Sequence, residues 1–128
     1  MNLLLDTHLL LWAAGEPDRL SAEAQQLIGN PANELFFSAA SLWEVTIKSG
    51  SYRDYFQIDP TELRHGLLEN GYRELSILGD HVLAAKTLPP IHRDPFDRIL
   101  VAQATVEKIR LLTTDRTVAQ YPGPIQQV

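Results

Sequence analysis

Cysteine is absent from this 128-residue chain, which excludes disulfides, thiolate metal sites and a cysteine nucleophile. Basic residues are in deficit: 11 Lys and Arg face 16 Asp and Glu, a formal charge of −5. Phosphate neutralisation draws on Lys and Arg, so a nucleic-acid role requires the acids to be gathered around a cation. There is no glycine-rich phosphate loop and no serine in a nucleophile-elbow sequence. Long apolar runs are missing as well. The opening MNLLLDTHLLLWAAGEPD lacks a basic start and is interrupted by Asp6 and His8, which fits neither a signal peptide nor a membrane span. A cytoplasmic protein without membrane contact is expected.

What is present describes an ordinary globule, 45% apolar and 21% charged, of a length suited to one domain over 1–128. NLLLD at 2–6 is a short continuous apolar run and predicts a strand buried on both faces. A short helix through Leu9 to Trp12 follows, and Ser21 caps another through Ala24, Leu27 and Ile28. ELFFS at 34–38 predicts a second strand; 41–50 is helical, with Ser38 or Ser41 as cap and Gly50 as stop. Helices are predicted over 59–71, 79–90 and 95–108, an edge strand over 72–77, a buried strand over 109–115 and a last strand in PIQQV. Strands alternating with helices imply a three-layer α/β/α fold with a central, mainly parallel sheet. Ligands of such sheets bind beyond the carboxyl ends of the strands, where two strands here end in Asp6 and Asp115.

Each carboxylate has an ordinary role to weigh against a chemical one. Asp6 and Asp115 suit the N-cap of whatever follows their strands. Yet parallel neighbours would bring them together, and two carboxylates about 4 Å apart repel by roughly 4 kcal/mol at an effective dielectric near 20. A fold that clusters them needs a proton, an arginine or a cation between them. Glu44 suits a capping box with Ser41 and an i,i+4 pair with Lys48, although neither explains a glutamate among Trp43, Val45 and Ile47. In PPIHRDPFDRIL at 89–100, Asp94 precedes Pro95 as an N-cap should. Asp97 opens a line with Leu100, Val101 and Ala104, opposite a second apolar line of Ile99, Ala102 and Val106. A helix apolar on two sides is mostly buried, so Asp97 calls for a partner. Helix dipoles contribute about a kcal/mol or less, which leaves a cation or an arginine.

The histidines, His8, His65, His81 and His92, show no zinc spacing. Each suits a surface or satisfied polar position, with His8 and His92 close enough to the acids in sequence to touch a substrate. Any chemistry therefore falls to carboxylates. All-oxygen sites suit Mg²⁺ or Mn²⁺, and such ions activate water and stabilise the leaving oxygen of a phosphodiester. Lys48, Arg93, Arg98 and Arg116 stand near the acids in sequence as contacts for a phosphate backbone.

LLLDTHLLLW at 3–12, SLWEVTIKSG at 41–50, HRDPFDRILVAQA at 92–104 and LLTTD at 111–115 occur in this order and nearly span the chain. Together they resemble the PIN-domain family in its VapC-type toxin branch. The resemblance implies a small α/β/α nuclease that cuts RNA with Mg²⁺ or Mn²⁺, with an acidic quartet at Asp6, Glu44, Asp97 and Asp115. On that basis Asp6 and Asp97 are direct metal ligands, and Glu44 and Asp115 complete the site. Thr7, Thr114 and Arg98 are auxiliary candidates. Asp94 matches a position typical of the branch outside the usual metal set, and Thr117 stands where some members carry a further acid. The resemblance also implies a homodimer and a small antitoxin partner. Two alternatives differ in kind. One is a non-catalytic PIN-like module gripping a basic peptide through its acidic pocket. The other is a haloacid-dehalogenase-type phosphatase, which wants a second aspartate where this chain has His8.

Overall fold

The apolar tripeptide Leu3 to Leu5 feeds directly into the centre of the sheet in the computed structural model, which describes residues 1–49 and 58–128. β1 (Asn2–Leu5), β2 (Glu34–Ser38), β3 (Arg73–Leu75), β4 (Arg110–Thr113) and β5 (Ile125–Gln127) form one sheet in the order β3-β2-β1-β4-β5. Every adjacent pair is parallel, with Leu4 opposite both Phe36 and Leu111. The helices are α1 (Thr7–Gly15), α2 (Ala22–Gly29), α3 (Ala39–Lys48), α4 (Pro60–Glu69), α5 (Gly79–Lys86) and α6 (Pro95–Glu107). None of the described helices is long and apolar enough to cross a membrane.

Strand side chains alternate between faces, and the core divides accordingly. Leu3, Leu5, Phe37 and Leu112 join Leu9 and Leu10 of α1 and Leu63 and Leu67 of α4 in one cluster. Leu4, Phe36 and Leu111 join Leu100, Val101 and Ala104 of α6 in the other. Because both faces are covered, the central strands β1 and β4 carry no solvent-exposed face. That is why Leu3–Leu5 of β1 and Leu111–Leu112 of β4 are consecutive apolar residues rather than alternating ones. The result is the expected three-layer architecture.

Two connections decide where a ligand can bind. β1 passes through α1 and α2 to β2 on one side, whereas β3 returns through α5 and α6 to β4 on the other. The strand order therefore reverses between β1 and β4, and a crevice opens beyond their carboxyl ends. Asp6 follows β1 directly, and Asp115 lies two residues past β4.

Some local expectations change. Ser38, not Ser41, caps α3, its hydroxyl accepting from the Ala40 N–H. Ser41 lies buried inside the helix, so Glu44 belongs to no capping box. Gly50, the expected stop, lies outside the described residues, and Ser49 is the C-cap of α3. On α6 the line Leu100, Val101 and Ala104 is buried as expected, but Val106 is exposed and Ile99 half-buried. The second buried line is instead made by Ala102 and Gln103. Gln103 is tied across the interface by the Ser38 hydroxyl at 2.6 Å.

Candidate active site

Asp6 caps α1 and also lines the cleft beyond the strand ends. Its Oδ1 accepts from the Leu9 N–H at 2.9 Å and so caps α1. Its Oδ2 accepts from the Thr113 hydroxyl at 2.6 Å. Each oxygen retains a second lone pair. The register sets Leu5 opposite Leu112, so the residue facing Asp6 is Thr113 rather than Asp115. The strand-end aspartates are neighbours separated by a hydroxyl, not a directly opposed pair.

Glu44 reaches the same place from α3 and is buried. Its Oε1 accepts from the Thr7 hydroxyl at 2.6 Å, which also lies 2.9 Å from the Ser41 hydroxyl. Its Oε2 takes the Lys48 ammonium at 2.7 Å, the i,i+4 pair read from the sequence. Lys48 Nζ also stands 3.7 Å from Asp94 Oδ2. Burial pulls the Lys48 ammonium down, but the hydrogen bond and charge of Glu44, with Asp94 and Asp97, outweigh it and raise its pKa.

α6 supplies the remaining side. Asp94 caps it, Oδ1 accepting from the Phe96 N–H at 2.9 Å, with Pro95 in the first turn. Asp97 is half-buried one turn in, and its Oδ2 stands 3.3 Å from His92 Nε2. The same nitrogen is 3.6 Å from Asp115 Oδ2. Asp115 Oδ1 accepts from the Thr117 and Val118 N–H groups at 2.7 and 3.3 Å, which fixes the turn after β4. Thr117 thus contributes a backbone donor where a further acid was a possibility.

These residues line one cleft of about 390 Å³: Asp6, Glu44, Asp94, Asp97 and Asp115, with Thr7, Thr114, His8, Trp12, Lys48 and His92. All four members of the expected quartet are brought together, and so are Thr7, Thr114 and Asp94. Arg98 is not among the lining residues. Its guanidinium donates to the carbonyls of Ala85, Leu88, Pro89 and His92 and to the Tyr121 hydroxyl. Arg93 and Arg116 are exposed. His65 is an exposed partner of Glu69, and His81 is a buried, satisfied histidine between the Leu78 N–H and Glu107.

His92, Thr113 and Tyr121 stand out more in the structure than in the sequence. Thr113 had a signal, since it is the inward threonine of LLTTD at the strand end. Tyr121 had none, because AQYPGP marks only a turn.

The electrostatics of the cleft are dominated by negative charge, five carboxylates lining it beside Lys48. Asp97 is pushed up to about 8 from 3.8, by burial first and then by Asp94, Glu44, Asp6 and Asp115. Asp6 is raised by burial against the lowering effect of its hydrogen bonds to Thr113 and Leu9. A carboxyl that keeps its proton near neutral pH marks a place where a cation would displace that proton. The donor set fits a hard divalent ion, being oxygen-rich and partly open to water. His92, Asp97 and Asp115 each offer an atom within 4.8 Å of the others, the spacing of a shared ion.

A parallel α/β/α sheet with carboxylates gathered in a cleft at its switch point defines the class of protein. The chain belongs to the PIN domain family, whose model matches residues 3–124. It is 32% identical over 124 residues to Ribonuclease VapC22 of Mycobacterium tuberculosis, covering 96% of this chain and 94% of that protein. The fold is shared with a chain of the VapBC2 complex of Rickettsia felis bound to a promoter DNA fragment. That match has a TM-score of 0.73 at 12% identity, over 100% of this chain and 99% of that one. A chain of DNA-bound VapBC from Salmonella typhimurium superposes with a TM-score of 0.67 at 13% identity, over 99% and 98% of the two chains. A toxin–antitoxin complex from Klebsiella pneumoniae gives 0.62 at 20% identity, over 97% and 95%.

Proposed function

We propose that this chain is a single-domain, metal-dependent endoribonuclease, the toxin of a toxin–antitoxin pair. The observation that carries the reading is the convergence of Asp6, Glu44, Asp97 and Asp115 on one cleft in a PIN fold. The relative named as a ribonuclease supports RNA as substrate. The three fold relatives are all toxin–antitoxin assemblies, which supports an antitoxin partner; a homodimer of the catalytic chain belongs to the same proposal through the family resemblance.

Asp6 and Asp97 are the direct ligands of a Mg²⁺ or Mn²⁺ ion in this reading, and Glu44 and Asp115 complete its surroundings. When bound, the ion supplies Lewis acidity, lowering the pKa of water and offsetting negative charge on the phosphate. The protein does the rest. Thr7 and Lys48 hold Glu44 by both oxygens, so its position does not depend on substrate. Thr113 aims Asp6 into the cleft, and the Thr117 and Val118 amides leave Asp115 Oδ2 facing inward. Trp12 and His8, whose rings lie 6.1 Å apart, provide an aromatic wall on which an unstacked base can rest. Water is the nucleophile, and the strand is cut at a phosphodiester held against the acidic floor.

Incubation of the purified chain with structured RNAs tests this directly. Cleavage is expected with Mg²⁺ or Mn²⁺ and is lost in EDTA. Cleavage that persists in EDTA would rule out the metal, and binding without cleavage would favour a peptide-gripping module. Asp94 offers a contrast within the cleft. Asp94→Asn keeps a good cap and removes one charge beside Lys48, so activity should fall by no more than about tenfold, roughly 1.4 kcal/mol. A complete loss in that variant would move Asp94 into the metal set.

A further inference from the structure

We infer that His92 is a positioning residue whose Nε2–H edge, set between the Asp97 and Asp115 carboxylates, draws them toward one another, and that it is not a ligand of the metal. The inference rests on the metallonuclease reading and assigns a role to a residue beside its carboxylates. The backbone of His92 is clamped on both sides. Its N–H donates to the Tyr121 hydroxyl at 2.8 Å, and its carbonyl accepts from that hydroxyl at 3.1 Å and from Arg98 at 3.4 Å. The ring is therefore placed by a buried tyrosine and by the guanidinium that ties down the 85–92 segment.

The hydrogen bonding decides the tautomer. His92 Nδ1 lies 3.1 Å from the Asp94 backbone nitrogen and accepts its N–H. An imidazole nitrogen that accepts has no proton of its own, so the ring proton sits on Nε2. Nε2 lies 3.3 Å from Asp97 Oδ2 and 3.6 Å from Asp115 Oδ2, so its N–H is the positive end of a charge contact with both carboxylates rather than a full hydrogen bond to either. A cation bound to Nε2 would force the proton onto Nδ1, against the Asp94 N–H. The α6 cap would then lose the arrangement that places Asp94. Although the three side chains are close enough to share an ion, the donor–acceptor pattern gives the ion oxygen ligands alone. Such a site favours Mg²⁺ and Mn²⁺ over softer ions that seek imidazole.

The compact HRDPFD segment thus works as one device. Asp94 starts the helix with its side chain and orients His92 with its backbone N–H. His92 in turn sets the angle of Asp97, one helical turn on, and of Asp115 at the end of β4. Partners of this kind, acting through the ligands they hold, are worth about ten- to a hundredfold in metal affinity.

Mn²⁺ binding to the full chain, measured by calorimetry, tests the role with the wild type, His92→Ala and His92→Gln. Glutamine can present an amide N–H near the place of Nε2 but offers no imidazole lone pair. His92→Ala is expected to weaken Mn²⁺ binding about ten- to a hundredfold, with His92→Gln recovering to within about threefold of wild type. Nitrogen-15 shifts of the His92 ring should show Nε2 protonated both without metal and with saturating Mg²⁺. Equal weakening in both variants, no weakening in either, or a proton on Nδ1 would overturn the inference. A wild type that binds no Mn²⁺, or an Asp97→Asn variant that binds it equally well, would instead bring down the metallonuclease reading on which it rests.

Discussion

Asp97→Asn is expected to lower RNA cleavage by at least about a thousandfold, a barrier increase of roughly 4 kcal/mol, while making the metal-free protein more stable at pH 8. Both halves follow from one feature. Asp97 sits where burial and four other carboxylates oppose its ionisation, raising its pKa to about 8. A folded-state pKa above the ordinary 3.8 means that the native protein keeps a proton the unfolded chain has lost. The stability linked to this group is complete below about pH 4 and is lost as pH rises to about 8. The ceiling is roughly 6 kcal/mol at 1.36 kcal/mol per pKa unit. Water reaches the cleft and screens the carboxylates, so about 2 kcal/mol is the expected gain from the asparagine. Thermal unfolding in EDTA should show the wild type losing stability from pH 5 to pH 8 and the variant losing much less.

Divalent metal should reverse the order. Saturation at a hundred times the dissociation constant adds about 2.7 kcal/mol to a protein that binds only when folded. The wild type should gain this with Mg²⁺ or Mn²⁺ at pH 8, and Asp97→Asn should not. An asparagine variant that cut RNA at the wild-type rate would remove Asp97 from the centre of the site. Parallel pH profiles for the two proteins in EDTA would mean that the charge strain lies on another carboxylate, Asp6 being the next to test.

The second large effect is expected at Arg98, as a loss of stability rather than of charge in the cleft. Its guanidinium donates to four carbonyls, those of Ala85, Leu88, Pro89 and His92, and to the Tyr121 hydroxyl. Removing it strands acceptors in a segment with little secondary structure of its own. Arg98→Met should therefore cost about 2–4 kcal/mol, a fall in Tm of roughly 10 °C. Arg98→Lys should recover little, because a point charge cannot span carbonyls that a planar fork spans. Recovery of full stability by lysine would mean that the positive charge near the acids, and not the fork, is what Arg98 supplies. Cleavage should decline in both variants through displacement of His92, and excess metal should partly restore it.

Much of this protein is legible along the chain. Leu3–Leu5 and Leu111–Leu112 are consecutive apolar residues because the sheet is covered on both faces, and that pattern implies buried parallel strands. Asp6 and Asp115 advertise the ligand-binding end of the sheet because a polar residue closes each run. Asp94 before Pro95 announces a helix start, and the line Asp97, Leu100, Val101 and Ala104 announces a carboxylate on a buried face. These are local facts, governed by backbone periodicity and capping chemistry, and they hold whatever the rest of the chain does.

The tertiary structure decided what depends on partners distant in sequence. The register of β1 against β4 set Thr113, not Asp115, opposite Asp6. The packing of α3 made Ser38 the cap and turned Ser41 toward Thr7. Arg98, one residue after the central aspartate, points away from the cleft because four carbonyls of the 85–92 segment converge on the other side of α6. His92 is held beside the acids through its backbone, by Tyr121, 29 residues away, and by Arg98. Sequence periodicity tells which face of an element a residue occupies. Which donor finds which acceptor across the fold is set by register and packing, and that is where the geometry of this site is made.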